Sequence, residues 1–150
     1  MTDKELIFLK VGQILNISQA IEYNLHYIII YDNIVKNCIN KEEVKQKLNT
    51  KNEYYESLSK SPTGYSLDLA RKTNIFTEDF LTNLSKAIHM RNFYAHKFFK
   101  ESFESNDLAT NSTKYINNLD RDIKRLNDMN LELGNDLKEL INRIKIKLSN

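Results

Sequence analysis

Apolar residues recur at steps of three and four along the first quarter of the chain: Leu6, Leu9, Ile14, Ile17, Ile21, Leu25, Ile28 and Val35. One five-residue step separates Leu9 from Ile14. This periodicity predicts one long helix from about Asp3 to about Asn37. Gly12 interrupts it without a proline, which predicts a close helix contact there rather than a break. A more polar helix is expected from about Lys41 to Lys60, with Val44, Leu48, Tyr55 and Leu58 as a thin apolar face. Ser61-Pro62-Thr63-Gly64 is the clearest turn signal. A short helix from about Ser66 to Lys72 should follow, closed by Asn74.

Thr77 then makes an N-cap, with Glu78 and Asp79 in the first turn where the helix dipole favours negative charge. That helix is expected to reach about Glu101, followed by a polar, mobile loop over Ser102 to Ser112. The last helix is expected from near Thr113 almost to the C-terminus. Its apolar series Ile116, Leu119, Ile123, Leu126, Leu133, Leu137, Leu140 and Ile144 has Asn130 at the one polar position. A buried asparagine there would fix register in a coiled coil, whereas in an ordinary bundle helix it would reach solvent or a loop carbonyl; both readings stand at this point. The pattern as a whole gives a single all-α domain over residues 1–150, an antiparallel helical bundle with long first and last helices and a short helix before the Thr77 helix.

Composition agrees. Three glycines and one proline are too few for a loop-rich or all-β fold. The only cysteine is Cys38, which excludes an intrachain disulfide and Cys-rich zinc sites. The N-terminus is polar, and Tyr27-Ile28-Ile29-Ile30-Tyr31 is far shorter than the roughly 20 residues needed to span a bilayer. A soluble, cytoplasmic protein with no membrane partner is the expectation. The net charge of +2 says little, but its distribution says more. Between Asp79 and Glu101 there is no acidic residue, while Lys86, Arg91, Lys97 and Lys100 all fall there. Phosphate is an anion that suits such a segment, though a solvated helix face would look the same.

The Thr77 helix holds the candidate chemistry. Its apolar stripe runs Phe80, Leu84, Ala87 with Ile88, Tyr94 with Ala95, and Phe98; Arg91 stands where the stripe should continue. A guanidinium keeps its charge, so Arg91 must either meet a carboxylate, Glu22 being one choice, or line a groove open to an anion. A second line contains His89, Asn92 with Phe93, His96, Phe99 and Phe103, which suggests a cover on that side too, such as a second copy of the chain. Arg91 and His96, five apart, point about 140° away from each other, whereas Asn92 and His96 stack. One chain therefore offers a sparse site and two chains a fuller one. His89 and His96 lie about 10.5 Å apart along the helix, too far to share one zinc comfortably, and no nearby Cys, Asp or Glu completes a set. Neither metal nor cofactor is expected. His26, in an apolar stretch, reads as a core or interface histidine with its nitrogen satisfied.

The hexapeptide Arg91-Asn92-Phe93-Tyr94-Ala95-His96 resembles the motif of the HEPN family: an arginine, commonly followed by a polar residue, then a histidine after four to six positions. The long first helix with Gln19 and Glu22, and the turn at Ser61 to Gly64 before a short helix, are also similar to bacterial members. The resemblance implies a metal-independent ribonuclease, usually dimeric, of toxin–antitoxin or antiviral defence systems, with RNA as substrate and a protein antitoxin or defence-system partner. It implies that Arg91 holds the scissile phosphate, His96 serves as general acid or base or orients the 2′-hydroxyl, and Asn92 positions either. Lys86, Lys97 and Lys100 would bind RNA phosphates; Glu22, His89 and Tyr94 would support the site. One position departs from the branch whose antitoxins are nucleotidyltransferases: the modifiable tyrosine two residues after the histidine is here Phe98, so control by adenylylation there is not available. A catalytically inactive HEPN-like dimer serving as a binding or regulatory subunit is the alternative.

Overall fold

The computed structural model describes residues 1–104 and 107–149, and the side chains of these apart from 103 and 104. The fold is all-α: eight helices and no strand among the described residues. They are α1 (Asp3–Asn37), α2 (Lys41–Asn49), α3 (Lys51–Lys60), α4 (Thr63–Lys72), α5 (Glu78–His96), α6 (Phe98–Glu104), α7 (Asp107–Thr110) and α8 (Ser112–Ser149). No described helix is long and apolar enough to cross a membrane. The chain divides into two compact units: Met1–Ile21 with Asn83–Asn130, and Glu22–Thr82 with Leu131–Asn150.

The first unit holds the motif. Ser112 Oγ donates to Asp3 Oδ2 at 2.8 Å and Lys10 pairs with Asp120, so α8 runs in the same direction as α1. Tyr94 meets Asp122 and Phe98 meets Tyr115, so the α5–α6 segment runs against α8. The buried line of α1 is Ile7, Val11, Ile14, Ser18 and Ile21. It follows strict four-three steps, whereas the sequence reading took Leu6 and Leu9 in place of Ile7 and Val11 and passed over Ser18; Leu9, assigned to that stripe, is about half exposed. Gly12 is also corrected: it is exposed, and a Cβ there would meet nothing within 4 Å, so no close helix contact explains it.

The second unit is built on the other half of α1. Lys51 lies by Tyr31 while Tyr55 lies by Tyr27 and Tyr23, which sets α3 antiparallel to α1. Ser66 lies by His26 and Thr73 by Lys36, which sets α4 parallel to it. Leu25, Ile28, Ile30, Ile34, Val44 and Leu58 are among its buried side chains. Each such burial removes area worth about 1.5–3 kcal/mol from water.

Several boundaries differ from the sequence reading, each for a local reason. The single helix expected over Lys41 to Lys60 is two, broken at Thr50, where the ladder tightens to Thr50 N–H on Lys47 O and the Thr50 hydroxyl bonds back to the same carbonyl at 3.2 Å. The turn at Ser61 to Gly64 is shorter than expected: Pro62 is already the N-cap of α4, and Thr63 and Gly64 belong to its first turn. Asn74 closes α4 as anticipated, with φ at +58° in the left-handed region. Residues 107–110 of the expected loop are helical; 105 and 106 lie outside the described residues.

Candidate functional site

The motif occupies the last turns of α5. Thr77 caps that helix, its Oγ1 accepting from Phe80 N–H at 3.1 Å and its carbonyl from Leu81 N–H at 3.0 Å. α5 ends at His96, short of the expected Glu101, yet the chain barely loses its helical path. Lys97 N–H still donates to Phe93 O at 2.8 Å, and Glu101 N–H to Lys97 O at 2.9 Å. The break is thus a single-residue turn at Lys97, and α6 resumes at Phe98.

An aromatic cluster fixes that joint. Phe98 is buried and lies 5.2 Å from the Tyr94 ring, 5.7 Å from the Tyr115 ring and 5.0 Å from the Phe99 ring, centroid to centroid. Phe99 in turn stands 4.8 Å from Phe8 of α1. Tyr94, only 7% exposed, donates its hydroxyl to Asp122 Oδ2 at 2.6 Å. Burial first, and then this bond to a carboxylate, raise the phenol well above its usual range, so it stays a neutral donor. Tyr94 therefore faces α8 and holds the motif turn in place instead of lining an open face.

The remaining motif side chains divide cleanly. Asn92 and His96 are exposed one turn apart on the same side of α5. Arg91 is half-buried in line with the packed stripe of Leu84, Ala87 and Ile88, about 140° round the helix from His96. Lys86 and His89 are exposed further up the helix; Lys97 and Lys100 are exposed just beyond its end. His89 Nδ1 donates to the Ser85 carbonyl at 2.8 Å, which ties the ring to its own helix and leaves Nε2 outward. Phe93 is 37% exposed among these polar groups, and Ala95, assigned to the buried stripe, is exposed as well. The side chain of Phe103, placed on the same line, lies outside the described residues. Glu22 is half-buried on α1 and belongs to the second unit.

The structure thus brings Asn92, His96, Lys86 and His89 onto one open strip of α5, and leaves half-buried Arg91 with Tyr94 on the packed side. Among the described residues no group of three or more His, Cys, Asp or Glu stands close enough to hold a metal ion. Asp122 is the residue sequence reasoning missed. It sits beside the apolar row of α8 with no motif to mark it, and only the fold reveals that it anchors Tyr94. No family model matches the chain, and no curated protein or solved structure matches it either.

Proposed function

We propose that this chain is a metal-independent endoribonuclease of the HEPN type, acting in a bacterial toxin–antitoxin or antiviral defence system. The observation that carries the reading is the open strip of α5: Asn92 and His96 are exposed in successive turns, with half-buried Arg91 on the packed side of the same turns, on a helix with no carboxylate between Asp79 and the end of the motif. Lys86, Lys97 and Lys100 extend that strip with exposed cations suited to an RNA backbone.

In this reading the RNA 2′-hydroxyl attacks the adjacent phosphorus. Its proton passes to a base, the bond to the 5′-oxygen breaks, and that oxygen takes up a proton as it leaves. The products are a 2′,3′-cyclic phosphate and a 5′-hydroxyl. His96 transfers protons, Arg91 stabilises the charge that develops on the phosphorane oxygens, and Asn92 orients the imidazole or the phosphate. Helical geometry turns Arg91 and His96 of one chain about 140° apart, so a second copy packed on the strip supplies the opposing pair. Half-exposed Phe93 gives such a contact an apolar centre.

Cleavage of RNA in EDTA by the unmodified protein, compared with an Arg91→Ala/His96→Ala variant, tests the proposal. Cleavage by the first only, ending in a cyclic phosphate and absent on DNA, is the expected result; equal cleavage by both, or none by either across diverse RNAs, overturns it.

The second reading, an inactive helical dimer with a binding or regulatory role, draws on α8. Leu119, Leu126, Leu133 and Leu140 are buried, while Ile116, Ile123, Asn130 and Leu137 in the neighbouring row are half-exposed. That row has the spacing of an assembly seam. An oligomeric state that changes with Ile123→Asp but not with Arg91→Ala/His96→Ala, together with no RNA cleavage, favours it.

A further inference from the structure

The break between α2 and α3 does more than shorten a helix. At Thr50 it opens a cavity of about 230 Å³ against α1, floored by Ile30 and Ile34 and rimmed by Lys47, Lys51 and Tyr54. The two isoleucines close the base of the cavity and, almost wholly removed from solvent, leave only a small apolar area facing its opening. No carboxylate lines the cavity, and neither Lys47 nor Lys51 forms an ion pair among the described residues. A nearby lysine of α1 shows the contrast: Lys36 is engaged by Asp32 Oδ2 at 2.9 Å and by the Thr73 carbonyl at 2.6 Å. The Lys51 ammonium stands 6.0 Å from the centroid of the Tyr31 ring.

The local backbone adds to the positive character. α2 would present its negative carbonyl end here, but Thr50 N–H and hydroxyl take up the Lys47 carbonyl. α3 begins at the same point without a side-chain cap, and Glu53 in its first turn offsets only part of that pole. Burial, and then the nearby Tyr65 phenol, push the Tyr54 hydroxyl upward, so it remains a protonated donor at the rim.

We propose that this cleft binds a small phosphate monoester with an apolar body: the dianionic head between Lys47 and Lys51, within reach of Tyr54 and Asn33, and the body on Ile30 and Ile34. Two ammonium groups match two negative charges, and the volume lies below the roughly 300–1,000 Å³ of sites for drug-sized ligands, which restricts the guest to a compact one. The inference stands on the second unit alone and does not depend on the ribonuclease reading.

Phenyl phosphate is the probe. Titrated into the ¹⁵N-labelled full chain, it should give saturable shifts centred on the amides of Thr50 to Tyr54. It should bind more tightly than inorganic phosphate or phenol, and lose strength with added salt. Lys47→Gln/Lys51→Gln should weaken it about tenfold, the combined weight of two partly solvated charge contacts, while Lys47→Arg/Lys51→Arg retains it. Lys47 is exposed and Lys51 half-buried without an ion pair among the described residues, so an unchanged circular dichroism spectrum should accompany either variant. Equal binding by the glutamine variant, equal binding of either fragment, or no saturable shift overturns the proposal. So does equal binding of the phenyl methyl diester, whose single charge is that of a nucleic-acid linkage.

Discussion

His26 and His96 both lie in helices beside tyrosines, and the fold treats them oppositely. His26 is 8% exposed; its Nε2 lies 3.4 Å from Ser66 Oγ, its ring meets Tyr55 edge-on at 5.6 Å, and Nδ1 has no hydrogen-bond partner among the described residues. His96 stands exposed at the last residue of α5, with its neighbour Tyr94 turned inward to Asp122. Neighbouring residues therefore do not decide a histidine's part. What decides it is whether a second helix covers the face it occupies. The expectation that His26 would have its nitrogen satisfied holds for one ring nitrogen and fails for the other, because α3 presents an aromatic face where a donor or acceptor would be needed.

The widest separation of the two histidines should appear in activity. His96→Ala should lower RNA cleavage by about 10²–10⁴-fold, the usual weight of a general acid or base, with little change in unfolding free energy because the side chain is exposed. His26→Ala should do the reverse, lowering stability and leaving cleavage by the folded protein unchanged. Cleavage rates measured beside urea unfolding curves check both. A His96 variant that cleaves normally, or a His26 variant that is stable but inactive, breaks the comparison.

What could be read from the chain follows the same division. The span of α1 was legible because its three- and four-residue apolar steps continue on both sides of one five-residue gap, and the Thr77 cap and the Asn74 closure because each depends on one residue's local chemistry. The stripe of α1 was misplaced at its start because Leu6 and Leu9 are as apolar as the buried Ile7 and Val11, and Ser18 was passed over because hydropathy does not flag a buried polar residue. The break at Thr50 was missed because a threonine in a polar helix carries no strong stop signal; it ends the helix by bonding back to its own turn. Within the candidate site, Arg91, Asn92 and His96 were identifiable by type and spacing. That Tyr94 would be buried needed only the stripe; that its partner is Asp122, 28 residues on, required the packing of α5 on α8.

Packing separates the two regions next. Ile28 follows His26 by two positions and is fully buried, whereas Phe93, at the centre of the open strip, is 37% exposed. Ile28→Ala should cost about 2–5 kcal/mol through lost burial and the cavity left behind. Phe93→Ala should cost under about 1 kcal/mol in the monomer, since it was never fully removed from water. If a second copy covers the strip, Phe93→Ala should instead appear as weaker self-association in analytical ultracentrifugation. Similar unfolding penalties for the two would show that the strip is packed as a core.

Tyr94→Phe is a smaller cut on the motif side. It removes only the hydroxyl that bonds Asp122, so the expected loss is about 1–2 kcal/mol, with the aromatic cluster around Phe98 retained. Its pH signature has a definite sign. The folded phenol is raised above the ordinary value of 10.0, so the stability it contributes is present below pH 10 and is lost as pH rises beyond it. Chemical unfolding at pH 8 and pH 11 should show a steeper decline for the unmodified chain than for Tyr94→Phe.

The smallest effect returns to His26. Burial lowers its pKa from the ordinary value of 6.5, because protonation would place a charge between Tyr55 and Ser66 with no carboxylate facing the ring. Below pH 6.5 the unfolded chain takes up a proton that the folded chain resists, so the unfolded state gains as the solution acidifies. Stability supplied by this group is therefore complete above pH 6.5 and declines as pH falls toward the lowered value. His26→Gln keeps a polar group for Ser66 and removes the titration; it should be less stable at pH 8 yet lose less between pH 6.5 and pH 5. Other groups titrate in that window in both proteins alike, so the difference between their slopes, read from unfolding free energies at each pH, reports His26 alone. Parallel slopes for the unmodified chain and His26→Gln would show that water reaches the ring after all.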